Sequence, residues 1–504
     1  MSLGGFRNLT RGLYRGLFIG FRDIGMLFSL VIVYLVITIG IGLIAAKRVK
    51  NSADFAIAGR HLPLSMIITT TFATWFGSET VLGIPAKFVN SGLHGVVEDP
   101  FGSGMCLVLV GLFFASKLYR MNLLTISDYY RERYGRSVEL VCSIIIMVSY
   151  LGWVSAQVTA LGVVFNLLSD GALSVSQGMV VGVVSILAYT LFGGMWSVAI
   201  TDFIQMIILV LGLAILAVFA GEQAGGASRV LDLALSRNMF TFLPEPHLRD
   251  ILFFLAAAIT MMFGSIPQQD VFQRVMSAKN SYAATRGAII GGVCYIVFAF
   301  VPMFLVVSAL IIMPEEATRL LAEDSQKVLP TLVMHQMPFI MQVLFFGALL
   351  SAIKSCASAT LLAPSVTFTE NILRHIRPYR GDREALMAMR VTVLVFSVFV
   401  LAYADLMRGT SIYELVSGAY QVTLVGAFVP LLCGLYWRAA STQGAIFSIV
   451  LGIVAWLIFT LTPAGEVLPA QLVGFVGAMA GMVIGSLGPQ AIRNVHGLHY
   501  SPPG

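Results

Sequence analysis

Three ionisable side chains stand where water should be scarce. FATWFGSETVLGIPAK, residues 72–87, carries Glu79 and Lys87 in otherwise apolar sequence, and SAIKSCASATLLAP, residues 351–364, carries Lys354. A carboxylate in such surroundings attracts a cationic group, or accepts hydrogen bonds from hydroxyls or an amine. An ammonium there costs about 2.5 to 3.5 kcal/mol on insertion scales unless it is paired or reaches water. Lys354 therefore needs a partner. If that partner is Glu79, the two are candidates for ion or proton coupling, with the lysine replacing the work of an ion; if it is water or another carboxylate, the lysine only fixes helix packing. On a regular helix Lys354 lies about 200° around from Ala352, away from that residue's face. Lys87, near the end of its apolar run, is expected to snorkel to the interface. Gly77, Ser78 and Pro85 punctuate the same stretch, and an interrupted helix frees backbone groups that are tolerated only where they line a cavity. This is chemistry of recognition rather than bond-making. No nucleophile–base arrangement, metal spacing or phosphate loop supports a membrane enzyme or an ATP-driven pump.

The elements that must hold these residues are membrane helices. The 504 residues are 58% apolar and 11% charged, with mean hydropathy +0.88, and apolar runs of roughly 20 residues recur along the chain. Thirteen spans are predicted, at about 26–46, 64–86, 99–116, 138–167, 176–194, 203–220, 250–267, 287–313, 336–365, 388–404, 412–436, 444–462 and 470–488. The expected class is an all-α polytopic membrane protein. The cysteines (Cys106, Cys142, Cys294, Cys356, Cys433) form no CxxC or Cys/His cluster and are expected to be small buried side chains. Histidines fall in loops, near span ends or in the tail. The net charge of +6 reflects loop bias toward lysine and arginine and does not indicate nucleic acid. With the N-terminus outside, cytoplasmic segments hold 19 of the 31 Lys and Arg residues, which predicts N-out and C-in. The arginine-bearing leader FRNLTRGLYRGLFIGFRDIG argues the other way unless it lies on the bilayer as an amphipathic helix. Membrane lipids are therefore expected partners, at the Arg374 to Arg390 loop as well, and Tyr436 and Trp437 read as interfacial anchors.

Span 2 contains Phe76-Gly77-Ser78 followed by Ile84-Pro85, and span 7 contains Phe263-Gly264-Ser265 followed by Ile266-Pro267. The matching breaks lie five helices apart, so spans 2–6 and 7–11 form two five-helix units. An odd number of spans per unit forces the two into opposite orientations. Discontinuous helices at corresponding places of an inverted repeat point to a transporter site near the membrane midplane. The expected organisation is a leader (1–25), a peripheral first helix (26–46), repeat 1 (64–220), repeat 2 (250–436), two peripheral helices (444–488) and a tail (489–504). Gln157, Gln269, Tyr150, Ser265, Tyr420 and Gln421 lie on spans expected to face the cavity, where each either hydrogen-bonds solute or joins helices.

DFAIAGRHLPL before span 2, GGMWSVAITDFIQ between spans 5 and 6, and SAIKSCASATLLAPSVTFTENI in span 9 resemble the sodium:solute symporter family. ATW at 73–75, GLFFA at 111–115, TALG at 159–162 and GSIPQQDVFQRV at 264–275 look most like its high-affinity choline transporters. The resemblance implies a LeuT-type 5+5 inverted repeat with discontinuous spans 2 and 7, and Na+ as coupling ion. It places the sodium site between spans 2 and 9, with backbone oxygens of Ala73, Phe76 and Ala352, the side chain of Ser355 and position 356 as ligands. Asp202, beside Thr201, matches the acidic residue near the sodium path. Position 356 is Cys356 where the family usually has Ser or Thr, and a neutral thiol is a poor ligand for a hard cation. The sodium site is thus implied in degraded form. The resemblance also sets Trp75 and Trp153 as walls of a choline-type cage, with Gln268 at a third position that would hold tryptophan; packing between helices is the alternative for both tryptophans.

The expected function is an ion-coupled secondary transporter of a small organic solute, foremost a cationic or zwitterionic amine, located in the plasma (inner) membrane. Its substrate site would comprise Trp75, Gly77, Ser78, Glu79, Trp153, Gln157, Ser265, Gln268, Gln269 and Tyr420. A proton-coupled or sodium-independent carrier of a carboxylate or amino acid is the alternative, and a solute-sensing membrane domain with a signalling partner is a third reading. No organic cofactor is expected.

Overall fold

A computed structural model of the chain describes residues 24–492. The arginine-bearing part of the leader and most of the tail lie outside the described residues. The helices that matter for the site are α1 (Ile24–Ala46), α2 (Leu64–Trp75), α3 (Ile84–Gly95), α4 (Val97–Arg120), α5 (Ile126–Tyr134), α6 (Arg136–Leu168) and α7 (Val175–Gln223). They are followed by α8 (Leu248–Gly264), α9 (Gln269–Met276), α10 (Ser281–Ile312), α11 (Phe339–Ile376), α12 (Asp382–Leu406), α13 (Ile412–Tyr436), α14 (Thr442–Leu461) and α15 (Ala470–Leu487).

Among the described residues ten helices are long and apolar enough to cross a membrane, or eleven if the bent pair α8 and α9 is one span. That is fewer than the expected thirteen, for two local reasons. The second expected span is cut: α2 has only 12 residues, and a π-helical turn at Glu79–Gly83 separates it from α3. The fifth and sixth expected spans run together as the 49 residues of α7, a length of roughly 74 Å at 1.5 Å per residue. The run is folded at Gly194, whose φ of 46° and ψ of −136° are non-helical. Tyr189 and Ser197, on either side of this turn, both meet Gly42 of α1. Only glycine suits the turn: φ is positive, and a Cβ would stand 2.3 Å from Phe55 O.

Start signals explain several boundaries. Ser174 with Gln177 and Thr125 with Asp128 form reciprocal capping boxes at the N-termini of α7 and α5. The nine-residue α5 was not expected as an element; it lies in what reads as a charged loop. Burial orders the bundle. In α13, α6 and α11 most of the apolar window is covered, whereas α1, α14 and α15 bury only 28% of theirs and stand at the periphery. Four of the five cysteines are buried as expected, but Cys294 is exposed on an apolar flank of α10.

Candidate solute and ion site at the two helix breaks

The α2 helix stops at Trp75 because Phe76 leaves helical geometry (φ −77°, ψ 75°). Freed polar groups are then taken up by side chains. Gln157 of α6 accepts from Ser78 N (3.0 Å) and donates from Nε2 to Glu79 Oε2 (2.6 Å). Thr80 donates to Trp75 O (2.8 Å) and lies 3.0 Å from Tyr295 OH. At Gly77 a Cβ would sit 2.9 Å from both the Gln157 amide and Glu79 Oε2, so glycine is what lets the carboxylate close over the break. The second break follows the same logic. α8 ends at Gly264, whose carbonyl accepts from Thr423 Oγ1 (2.6 Å), and α9 leaves at an angle of 47°. Asp270, in the first turn of α9, donates from its backbone N to Tyr150 OH (2.8 Å), and that hydroxyl donates to Asp270 Oδ1 (2.5 Å).

One face of α6, spaced every fourth residue, brings Ser149, Trp153 and Gln157 to both breaks. Trp153 stacks on Trp75 (centroids 5.2 Å, 23°) and on Tyr150 (6.0 Å, 16°), while Tyr420 meets both tryptophans edge-on at 5.3 and 5.5 Å. All four aromatics are fully buried. The two tryptophans are thus together, but they are not the walls of an open cage: no ammonium fits between rings this close. Gln268 is not a wall either, since its Nε2 donates to Ser149 Oγ (2.9 Å). Buried polar atoms without a hydrogen-bond partner at the breaks are Trp75 Nε1, Trp153 Nε1, Tyr420 OH, Ser265 Oγ, Ser78 Oγ, Gln269 Nε2, Gln268 Oε1 and Glu79 Oε1.

Other expected ligands lie elsewhere. Gln269 turns away from the aromatics, and its Oε1 accepts from Ile126 N (2.8 Å) at the start of α5. Gln421 accepts from Trp456 Nε1 (3.1 Å) on α14. Lys87 is exposed, with its ammonium 5.9 Å from the Tyr413 ring centroid. Lys354 does not pair with Glu79. Its Nζ donates to Thr38 Oγ1 of α1 (2.9 Å) and lies 5.4 Å over the Tyr189 ring, on the side of α11 away from α2.

The ion path is richer than the sequence suggested. Asp202 accepts from Ser355 Oγ (2.5 Å) and from Thr70 Oγ1 (2.7 Å). Arg274, one turn after Asp270 on α9, donates to Thr70 Oγ1 (3.3 Å) and lies 3.3 Å from Asp270 and 3.9 Å from Asp202. Two buried carboxylates therefore share a single guanidinium, with Ser355 beside Asp202. Arg274 and Asp270 were missed; the signal was an Asp and an Arg four apart, on one helical face directly after the second break. Glu98 and Asp99 were missed too. Both are buried, with Glu98 accepting from Ser417 Oγ (3.0 Å) and Asp99 from Tyr295 OH (2.6 Å).

The sequence pattern of the Sodium:solute symporter family matches residues 55–452, more than three quarters of the chain. The chain belongs to the sodium:solute symporter family. It is 27% identical over 452 residues to the high affinity choline transporter 1 of Homo sapiens, covering 85% of this chain and 75% of that protein. It is 24% identical over 479 residues to the sodium/pantothenate symporter of Escherichia coli (strain K12), covering 91% and 97%. Among solved structures, a Na+-coupled sialic acid symporter in a substrate-bound outward-open state superposes with a TM-score of 0.78 at 19% identity, covering 91% of this chain and 96% of that one. The fold is the LeuT-type arrangement of this family, with the α2 and α8/α9 breaks as its discontinuous helices.

A family of sodium symporters implies sodium, and the residues at the α2–α11 seam can be tested against it. Ser355 Oγ, with the Asp202 carboxyl bonded behind it, suits a hard cation. Cys356 does not: its thiol faces Thr74 O (3.4 Å), so at that position α11 meets α2 through sulfur rather than oxygen.

Proposed function

We propose that this chain is a sodium-coupled carrier of a small amine, working by alternating access in the plasma (inner) membrane with its N-terminus outside. The observation that carries this reading is that one helix, α6, binds the Glu79 carboxylate through Gln157 and, one turn away, stacks Trp153 on Trp75 between the two broken helices. Glu79 supplies negative charge to an ammonium, and Gln157 fixes its orientation. Similarity to choline transporters supports an amine as cargo. Lipids surround the helices, and nucleic acid has no role.

For sodium, the ligands proposed are the carbonyls of Ala73, Phe76 and Ala352 with Ser355 Oγ, and Cys356 supplies none. Asp202 balances the ion's charge from behind Ser355. A cation held there would join α2 to α11, and so tie the first break, which carries Glu79, to the rest of the bundle. Lys354 is outside this arrangement and anchors α1. Uptake into proteoliposomes tests the reading. Radiolabelled amines should accumulate under an inward sodium gradient, and Glu79→Gln should lower uptake by about tenfold or more, the scale of one charged hydrogen bond. Accumulation of sugars or dicarboxylates with indifference to amines would refute it.

A further inference from the structure

The inventory of unpaired polar atoms at the breaks narrows the solute, provided the amine-carrier reading holds. The donors without a partner are the indole N–H groups of Trp75 and Trp153, the hydroxyls of Tyr420, Ser265 and Ser78, and the Gln269 amide. The acceptors without one are Glu79 Oε1 and Gln268 Oε1. Each of these residues is buried, so each lone group calls for a complementary atom.

The facing surfaces of these rings, by contrast, are already used on one another. Trp153 is covered by Trp75 on one side and stacked with Tyr150 as well, and Tyr420 is pressed against both tryptophans. A quaternary ammonium is held by open ring faces and has no N–H to give to Glu79 or Gln268. What these rings offer is their N–H edges, and edges of that kind bind oxygen.

We infer that the solute is a zwitterion with at least one ammonium N–H and a carboxylate, an amino acid with a primary, secondary or tertiary amine rather than a choline. Its N–H donates to Glu79 Oε1, and its carboxylate accepts from the indole N–H groups and the Tyr420 hydroxyl. Trp75 and Trp153 determine specificity as donors rather than as cage walls.

Four probes separate the two requirements. Dimethylglycine has the N–H and the carboxylate, glycine betaine lacks the N–H, 2-dimethylaminoethanol lacks the carboxylate, and choline lacks both. Calorimetric titration of the purified protein in sodium chloride should give dimethylglycine the lowest Kd, by about tenfold or more over each singly deficient probe, with choline weakest. Trp153→Phe, which keeps the ring and removes the N–H, should narrow the gap between dimethylglycine and 2-dimethylaminoethanol. Glycine betaine binding as tightly as dimethylglycine would overturn the N–H requirement, 2-dimethylaminoethanol doing so would overturn the carboxylate requirement, and choline doing so would overturn both, each leaving the amine carrier standing. Binding of none of the four would overturn both.

Discussion

Lys354 is a buried amine outside the proposed solute and sodium sites. Its ammonium has one hydrogen-bond acceptor, Thr38 Oγ1, and that hydroxyl passes its own proton to Leu35 O (2.9 Å). Replacing a buried ion by an apolar side chain of similar shape is often neutral or stabilising, whereas removing the partner leaves the charge stranded. Lys354→Met should therefore melt at or above the wild-type temperature and keep its response to sodium. Thr38→Val should lose about 1 to 3 kcal/mol in denaturant unfolding. A loss of sodium response in Lys354→Met would return the lysine to the coupling machinery. Arg274 is the opposite case. It is the charge that Asp202 and Asp270 share, so Arg274→Met should cost about 3 to 5 kcal/mol, and adding Asp270→Asn should recover part of it. An unchanged melting temperature in Arg274→Met would show that the two carboxylates do not depend on it.

At the scale of elements, the breaks were legible because Phe-Gly-Ser in both halves removes side-chain bulk and helical preference where an apolar run should continue. The partners across the breaks were not. Spacing places Ser149, Trp153 and Gln157 on one face of α6, but it does not say that Gln157 spans Ser78 and Glu79 while Ser149 takes Gln268. Gln269 is a like case: its helical position suits a cavity, and only the three-dimensional neighbour, the N-terminus of α5, shows what its Oε1 holds. The count of uninterrupted long helices falls below the expected spans where one glycine turn joins two runs and where a π-helical turn cuts another. The closest approach at the second break is at Gly264, where a Cβ would lie 2.4 Å from Tyr420 O. Gly264→Ala must push α8 from α13, and the folded yield on size-exclusion chromatography should fall. Wild-type yield and melting temperature would mean that the two helices are not held as closely as this geometry requires.

For the whole molecule, the site is closed on both sides, since Trp75, Glu79 and Tyr420 are each at most 1% exposed. On the flank of α5, Asn371 Nδ2 donates to Asp128 (3.0 Å) and Glu139 (2.8 Å), and Gln269 holds the N-terminus of α5. On the flank of α3 and α4, Glu98 is joined to Ser417 of α13 and Asp99 to Tyr295 of α10. A carrier alternates by releasing one flank at a time, and the proposed sodium site at Ser355 and Asp202 lies between α2 and α11. The most direct test is sodium-driven uptake of labelled dimethylglycine into proteoliposomes, compared between wild type and Asp202→Asn. The account predicts that wild-type uptake rises above the equilibrium level only under an inward sodium gradient, and that Asp202→Asn loses this overshoot. Overshoot that is the same in potassium, or that survives intact in Asp202→Asn, would contradict it.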